Sequence, residues 1–133
     1  MAKHKKAYLP KIQIGTDICQ INRIKSAYKR FGKRFLERIL TEKELKYVTS
    51  NKKNLIPRLA GRFAAKEAAS KVLGTGFKGV YFKEVEILRE NSGAPKIILH
   101  KRAKAKAKKL RLTNFATSIS HERDFALAMV VAV

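Results

Sequence analysis

The hydrophobic period of this sequence changes midway, and that change limits the possible folds more than any other feature. From Ile18 to Leu73 apolar residues recur at helical spacing, whereas from Val80 to Val133 they fall into short alternating runs between polar turns. The pattern predicts helices followed by a meander. That is the α+β class, an antiparallel sheet packed with helices in one domain per chain.

In detail, Lys11 to Gly15 alternates as a short strand. Ile18, Ile21 and Ile24 predict a helix beginning just after Asp17 and broken at Phe31-Gly32. Phe35 to Leu40 adds a helical turn or two. Thr41 and Glu44 have the spacing of a capping box, so a helix follows from about Glu42 to Val48. Pro57 suits a first helical turn, where its missing N–H does no harm. Ala60 to Leu73 reads as the longest helix, ended by Gly74-Thr75-Gly76. Val80–Arg89 and Lys96–His100 form a hairpin around Glu90–Gly93. Lys101–Leu110 is helical. Phe115–Ser120 and Phe125–Val133 are strands around a polar turn at His121–Asp124. Residues 1–10 read as a basic, loosely held and flexible arm, and 11–133 as the domain.

Charge and run length exclude several classes. Lys plus Arg number 31 against 10 Asp plus Glu, a formal +21, which predicts attraction to nucleic acid, an anionic membrane, an acidic protein or a phosphate-rich small molecule. The longest apolar run, Phe125 to Val133, is nine residues and too short for a membrane helix, which needs about 20. The basic start at Lys3-His4-Lys5-Lys6 is followed by no apolar segment, so a secretory signal is not expected. Cys19 is the only cysteine, which leaves no internal disulfide and no cysteine zinc site. A soluble cytoplasmic protein is the expectation.

Four constellations could carry chemistry. Gly15-Thr16-Asp17-Ile18 places a carboxylate where a strand becomes a helix. It reads either as an N-cap or as a metal ligand fixed at a strand end. Arg62-Phe63-Ala64-Ala65-Lys66-Glu67-Ala68-Ala69-Ser70-Lys71, with Gly74-Thr75-Gly76, sets one acid among cations. A Glu67–Lys71 ion pair and a glycine C-cap explain it. So does a metal-bridged phosphate, with lysines on the phosphate oxygens and the backbone brought close by glycine. Ser118-Ile119-Ser120-His121 is poor as a nucleophile pair, because adjacent strand residues face opposite ways; a histidine on an anionic oxygen, or a turn histidine, fits better. Last are two cationic patches. Lys101, Arg102, Lys104, Lys106, Lys108, Lys109 and Arg111 include no acid. Arg23, Lys29, Arg30, Lys33 and Arg34 are interrupted by Phe31 and Phe35, which suits single-stranded nucleic acid or an acidic protein helix.

Together these segments resemble the holo-acyl-carrier-protein synthases, the small class of 4′-phosphopantetheinyl transferases. The resemblance rests on Ile14-Gly15-Thr16-Asp17-Ile18 with Ile21-Asn22-Arg23-Ile24, on Arg62 to Ala68 with Lys71 and Gly74-Thr75-Gly76, on Gly93-Ala94-Pro95, and on Ser118 to Glu122 with Ala126 and Ala128. It implies Mg²⁺-dependent transfer of phosphopantetheine from coenzyme A to a serine of apo-acyl carrier protein, giving holo-carrier and adenosine 3′,5′-bisphosphate. It implies Asp17 and Glu67 as the Mg²⁺ ligands and Lys71 as the catalytic cation. The serine proton would go to Glu67 or to a metal-held water. Arg62, Lys71, Gly74, Gly76, Pro95 and His121 would bind coenzyme A. Arg23, Arg30, Arg34 and Phe35 would dock the acidic carrier. It further implies a homotrimer with active sites between subunits, His121 reaching a neighbour's metal site. The rival reading is a basic nucleic-acid-binding module, which leaves the paired acids and the Gly-Thr-Gly turn unexplained.

Overall fold

Eight consecutive backbone pairs decide where the first strand ends. In the computed structural model, which describes residues 11–76 and 80–133, β1 runs Gln13–Gln20 and pairs antiparallel with β5, Phe125–Ala132, from Gln13↔Ala132 to Gln20↔Phe125. The proposed arm at 1–10 lies outside the described residues. The first helix, α1 (Ile21–Phe31), therefore begins three residues later than expected. Ile18 belongs to the outward row of β1, and only Ile24 of the expected stripe is buried in α1. Asp17 is thus a strand residue and not an N-cap; Gln20 stands at that position and makes no side-chain cap.

The remaining elements are α2 (Lys33–Ile39), α3 (Glu42–Thr49), α4 (Leu55–Val72), β2 (Val85–Arg89), β3 (Pro95–Leu99), α5 (Lys101–Lys109) and β4 (Phe115–Glu122). They make two sheets and not one: β1-β5-β4 and the separate hairpin β2-β3, both antiparallel. β2 starts five residues later than the alternation suggested. Its first part is a 3-10 turn, Phe82–Glu84, in which the Glu84 carboxylate turns inward and accepts from the Ala103 N–H of α5 at 3.2 Å. β4 runs two residues further than expected, so the turn to β5 shrinks to Arg123-Asp124. The Asp124 carbonyl accepts from Ile21 N–H at 2.8 Å and so joins this hairpin to the start of α1.

α4 is the central pillar. Its alanines 64, 65, 68 and 69 are fully buried against Ala128 and Val130 of β5 and Val85 and Ile87 of β2. A second apolar cluster joins Leu59 and Ala60 to Ile24, Leu36, Ile39 and Val48 of α1 to α3. Small side chains let the sheet approach α4 closely. At Gly15 a Cβ would lie 2.1 Å from the Ala68 carbonyl oxygen, so only glycine fits where β1 crosses the helix.

One ion pair ties α3, α4 and β2 together. The Thr41–Glu44 capping box forms as expected, Glu44 N–H donating to Thr41 Oγ1 and Thr41 N–H to Glu44 Oε1. That same Glu44 carboxylate accepts from Lys66 Nζ at 2.7 Å and from Ile87 N–H at 3.1 Å. Lys66 has no exposed surface, and its other protons go to the carbonyls of Phe82 and Val85. The expectation that Lys66 neutralises phosphate is therefore corrected: its charge is enclosed and fully bonded. Removing one partner of such a pair leaves an uncompensated buried charge. Lys66→Met should cost about 3–5 kcal/mol, read as a lowered denaturant midpoint.

Candidate active site

Two faces of the three-stranded sheet have different partners. Gly15, Asp17 and Cys19 of β1 alternate toward α4, as do Thr117, Ile119 and His121 of β4, while Ile14, Thr16, Ile18 and Ser118, Ser120 point away. Ser120 and His121 thus face opposite sides and do not form a Ser-His pair. Because Gly15 lets β1 lie against α4, Asp17, two residues on, reaches the helix surface that carries Glu67 and Lys71.

Asp17 and Glu67 line one open groove of about 570 Å³ with Arg23, Phe35, Phe63 and Phe125. Lys71 Nζ donates to the Thr16 carbonyl at 2.7 Å and lies 3.4 Å from Asp17 Oδ1. The expected ion pair between Lys71 and Glu67 is replaced by this contact across to β1. Burial, and then the negative charge of Asp17, push the Glu67 carboxyl above its ordinary value; the Lys71 charge acts against both. Among the described residues no cluster of three or more His, Cys, Asp or Glu side chains could hold a metal. Two carboxylates in one open groove fit a hard cation that takes one or two carboxylates and completes its shell with phosphate oxygens and water, as Mg²⁺ does. Such an ion would relieve the repulsion that lifts Glu67.

Gly74 follows α4 at φ +73°, and Gly76 stands at φ +53°. Gly74 N–H donates to Lys71 O and Thr75 N–H to Ser70 O, the doubled bond of a Schellman cap. The C-cap reading of Gly74 is correct, and the cap fixes where α4 stops, one residue beyond Lys71 and five beyond Glu67.

The other expected site residues lie elsewhere on the chain. Arg62 is buried against Tyr47, its guanidinium 4.4 Å from the ring centroid, with Arg58 at 4.3 Å and Arg89 at 5.7 Å on the same ring. Arg62 Nε is buried with no hydrogen-bond partner. Three guanidiniums around one ring and an orphaned N–H favour an anion. Pro95 begins β3 and lines a groove between β3 and β4. His121 Nε2 lies 2.8 Å from the Pro57 carbonyl; a carbonyl only accepts, so this nitrogen carries the proton. Asp17 pairs with Ala128, and Ala128 with Ile119, so His121 lies two strands away, roughly 10 Å across the sheet. One chain thus brings Asp17, Glu67, Lys71, Arg23 and Phe35 together, and leaves Arg62, Pro95 and His121 apart from them.

Tyr47 was not singled out by the sequence, and its role as a platform for three arginines is set by tertiary packing. Phe63 carried a signal: it shares a helical face with Glu67.

The chain compares with known proteins as follows. A family described as the 4′-phosphopantetheinyl transferase superfamily matches residues 13–130. The holo-[acyl-carrier-protein] synthase of Gloeobacter violaceus is 42% identical over 121 residues, covering 91% of this chain and 92% of its own. That of Solidesulfovibrio magneticus is 49% identical over 121 residues, covering 89% and 94%. Among solved structures, the Neisseria meningitidis synthase superimposes with a TM-score of 0.84 at 38% identity, covering 91% of this chain and 97% of its own. The Helicobacter pylori synthase, solved in complex with coenzyme A, gives 0.79 at 37% identity, covering 90% and 99%.

Proposed function

The chain belongs to the 4′-phosphopantetheinyl transferase superfamily, and we propose that residues 11–133 work as its holo-[acyl-carrier-protein] synthase domain. In this reading it moves the phosphopantetheine arm of coenzyme A onto a serine of apo-acyl carrier protein and releases adenosine 3′,5′-bisphosphate. The supporting observation is the meeting of Asp17 and Glu67, fifty positions apart, in one groove beside Lys71.

The reaction makes a bond from the serine oxygen to the β-phosphorus and breaks the bond from that phosphorus to the leaving bisphosphate. Asp17 and Glu67 would hold a Mg²⁺ ion, which would supply charge neutralisation of the diphosphate. Lys71 sits beside Asp17 with its side chain 54% exposed, so it can turn to a phosphate oxygen. The serine proton passes to a carboxylate of the site, Glu67 being the one carried by the rigid helix. Positioning and fixed charge account for the acceleration, as in other phosphoryl transfers. The arginine cluster on Tyr47, with its orphaned Arg62 Nε–H, would hold the nucleotide phosphates, together with His121 and the turns at Gly74, Gly76 and Pro95.

The separation of those residues from Asp17 within one chain supports a homotrimer whose sites are shared between neighbours. The outward sheet face supports it independently. Ile14 and Ile18 are each 62% exposed there, and Leu127 and Met129 46%, adjoining one another across β1 and β5. A contiguous apolar face of this kind marks an interaction surface. Among the described residues no helix is long and apolar enough to cross a membrane. In this reading the work is done in the cytoplasm, where coenzyme A and carrier protein would be met.

The carrier would dock beside the groove. Phe35 and Phe63 line both the groove and an adjoining apolar pocket of about 490 Å³, completed by Phe31, Ile39 and Phe82 and rimmed by Arg34 and Arg38. Arg30 lies 5.1 Å from the centre of the Phe31 ring. Apolar anchors inside a cationic rim suit an acidic helix, the rim steering association. Arg23→Glu with Arg34→Glu should raise KM for carrier roughly tenfold, with a weaker salt dependence, and leave KM for coenzyme A unchanged. A parallel rise in both would refute the docking face.

The test of the activity is to incubate the protein with apo-carrier, coenzyme A and Mg²⁺ and weigh the carrier. The reading requires a gain of one phosphopantetheine; a folded protein that leaves the carrier mass unchanged would overturn it.

A further inference from the structure

The seven cations between Lys101 and Arg111 take no part in the groove, the arginine cluster or the docking pocket described above. Among the described residues, Lys83, Lys101, Arg102 and Lys104 enter no ion pair. Lys83, Lys101 and Lys104 line, with Arg38 and His100, an open pocket of about 590 Å³, which shares no lining residue with the Asp17–Glu67 groove and meets the docking pocket only at Arg38. The one acid lining it, Glu84, is buried with its carboxylate bonded to the Ala103 N–H, and nearby Glu86 is buried and bonded to Thr41 and His100. The pocket therefore presents positive charge with little internal compensation. At its mouth Tyr81 is 63% exposed, and the Arg102 guanidinium lies 4.8 Å from its ring centroid. From there the exposed cations of α5, Lys104 and Lys108, continue the surface toward Lys109 and Arg111.

We propose that this face, the Tyr81–Lys83 turn together with α5, binds single-stranded RNA without sequence preference. The cations track phosphates, and the Tyr81–Arg102 stack offers a planar surface to an unpaired base. An acidic protein helix would need apolar anchors, and Leu99 is the one aliphatic side chain lining the pocket. A duplex would offer no splayed base for Tyr81. The cation run also explains its own cost. Arg102 and Lys106, and Lys104 and Lys108, are like-charge i,i+4 pairs that weaken α5 when nothing anionic lies against it.

The test uses the full chain and a fluorescein-labelled, mixed-sequence RNA of about 16 nucleotides, read by anisotropy. The expected dissociation constant is about micromolar at physiological salt, with log affinity falling about 0.7 per phosphate contact per decade of salt. Lys101→Glu with Lys104→Glu should weaken binding about tenfold or more and flatten that slope. Tyr81→Ala should weaken it about tenfold with the slope unchanged. Both variants should melt like the parent and transfer phosphopantetheine to the carrier at the parental rate, which separates this surface from the enzymatic site. The proposal is overturned if Tyr81→Ala binds RNA as the parent does, or if polyglutamate of equal length binds as tightly as the RNA. It is equally overturned if charge reversal at Arg23 and Arg34, and not at Lys101 and Lys104, removes binding.

Discussion

Glu67→Gln should lower phosphopantetheine transfer by about three orders of magnitude while leaving the fold intact. The glutamine keeps the volume and removes the charge that holds the divalent cation. The direction of the stability effect follows from the raised Glu67 carboxyl. A raised folded-state value means that the native chain binds a proton more tightly than the unfolded chain does. Stability contributed by that proton is present at low pH and is lost as pH rises from the ordinary glutamate value through the folded one. Above the ordinary glutamate range this shift weakens the metal-free protein, so the glutamine variant should melt at or above the parental temperature at neutral pH. Mg²⁺ with coenzyme A should raise the melting temperature of the parent and not of the variant. Loss of activity with a lower melting temperature would instead describe a damaged fold.

The second large effect is a recovery. Asp17→Asn and His121→Ala should each be inactive alone, and a mixture allowed to exchange subunits should regain activity. In one chain His121 is held at Pro57, two strands from Asp17. If each site takes Asp17 from one protomer and His121 from its neighbour, random mixing in a ring restores about one site in four. A charge on the apolar sheet face, Leu127→Glu, should block this recovery. Leu127 is 46% exposed on one chain, and burying a carboxylate at a subunit contact is costly. Light scattering should then report a monomer. A mixture of the two variants that stays inactive, with trimers demonstrably exchanging, would show that the sites are not shared.

Local signals in the sequence carried over well, and non-local ones did not. The Thr41–Glu44 box and the Gly74 cap are set by bonds among neighbours, so their spacing alone revealed them. The β2-β3 hairpin, with its Gly93 turn, was equally readable. The boundary after Asp17 was not, because Ile18, Ile21 and Ile24 fit a helical stripe while Ile14, Thr16 and Ile18 also fit a strand face. Only the ladder to β5 separates the two. An apolar row on the outside of a sheet inverts the usual inside-outside pattern, and that inversion hid the second half of β1. Lys66 was misjudged for a related reason: a lysine among cations beside one acid reads as a phosphate ligand, and its actual partner Glu44 lies 22 positions away. The convergence of Asp17 and Glu67 depends on Gly15, whose missing Cβ admits the Ala68 carbonyl, a contact that no local pattern announces.

The most direct check of the paired carboxylates is a titration of the protein with Mn²⁺ in the presence of coenzyme A, followed by the loss of the free-ion paramagnetic resonance signal. Asp17 and Glu67 as joint ligands predict one ion per chain, with affinity reduced at least about a hundredfold by Asp17→Asn with Glu67→Gln. Equal stoichiometry and affinity in the parent and the double variant would contradict it.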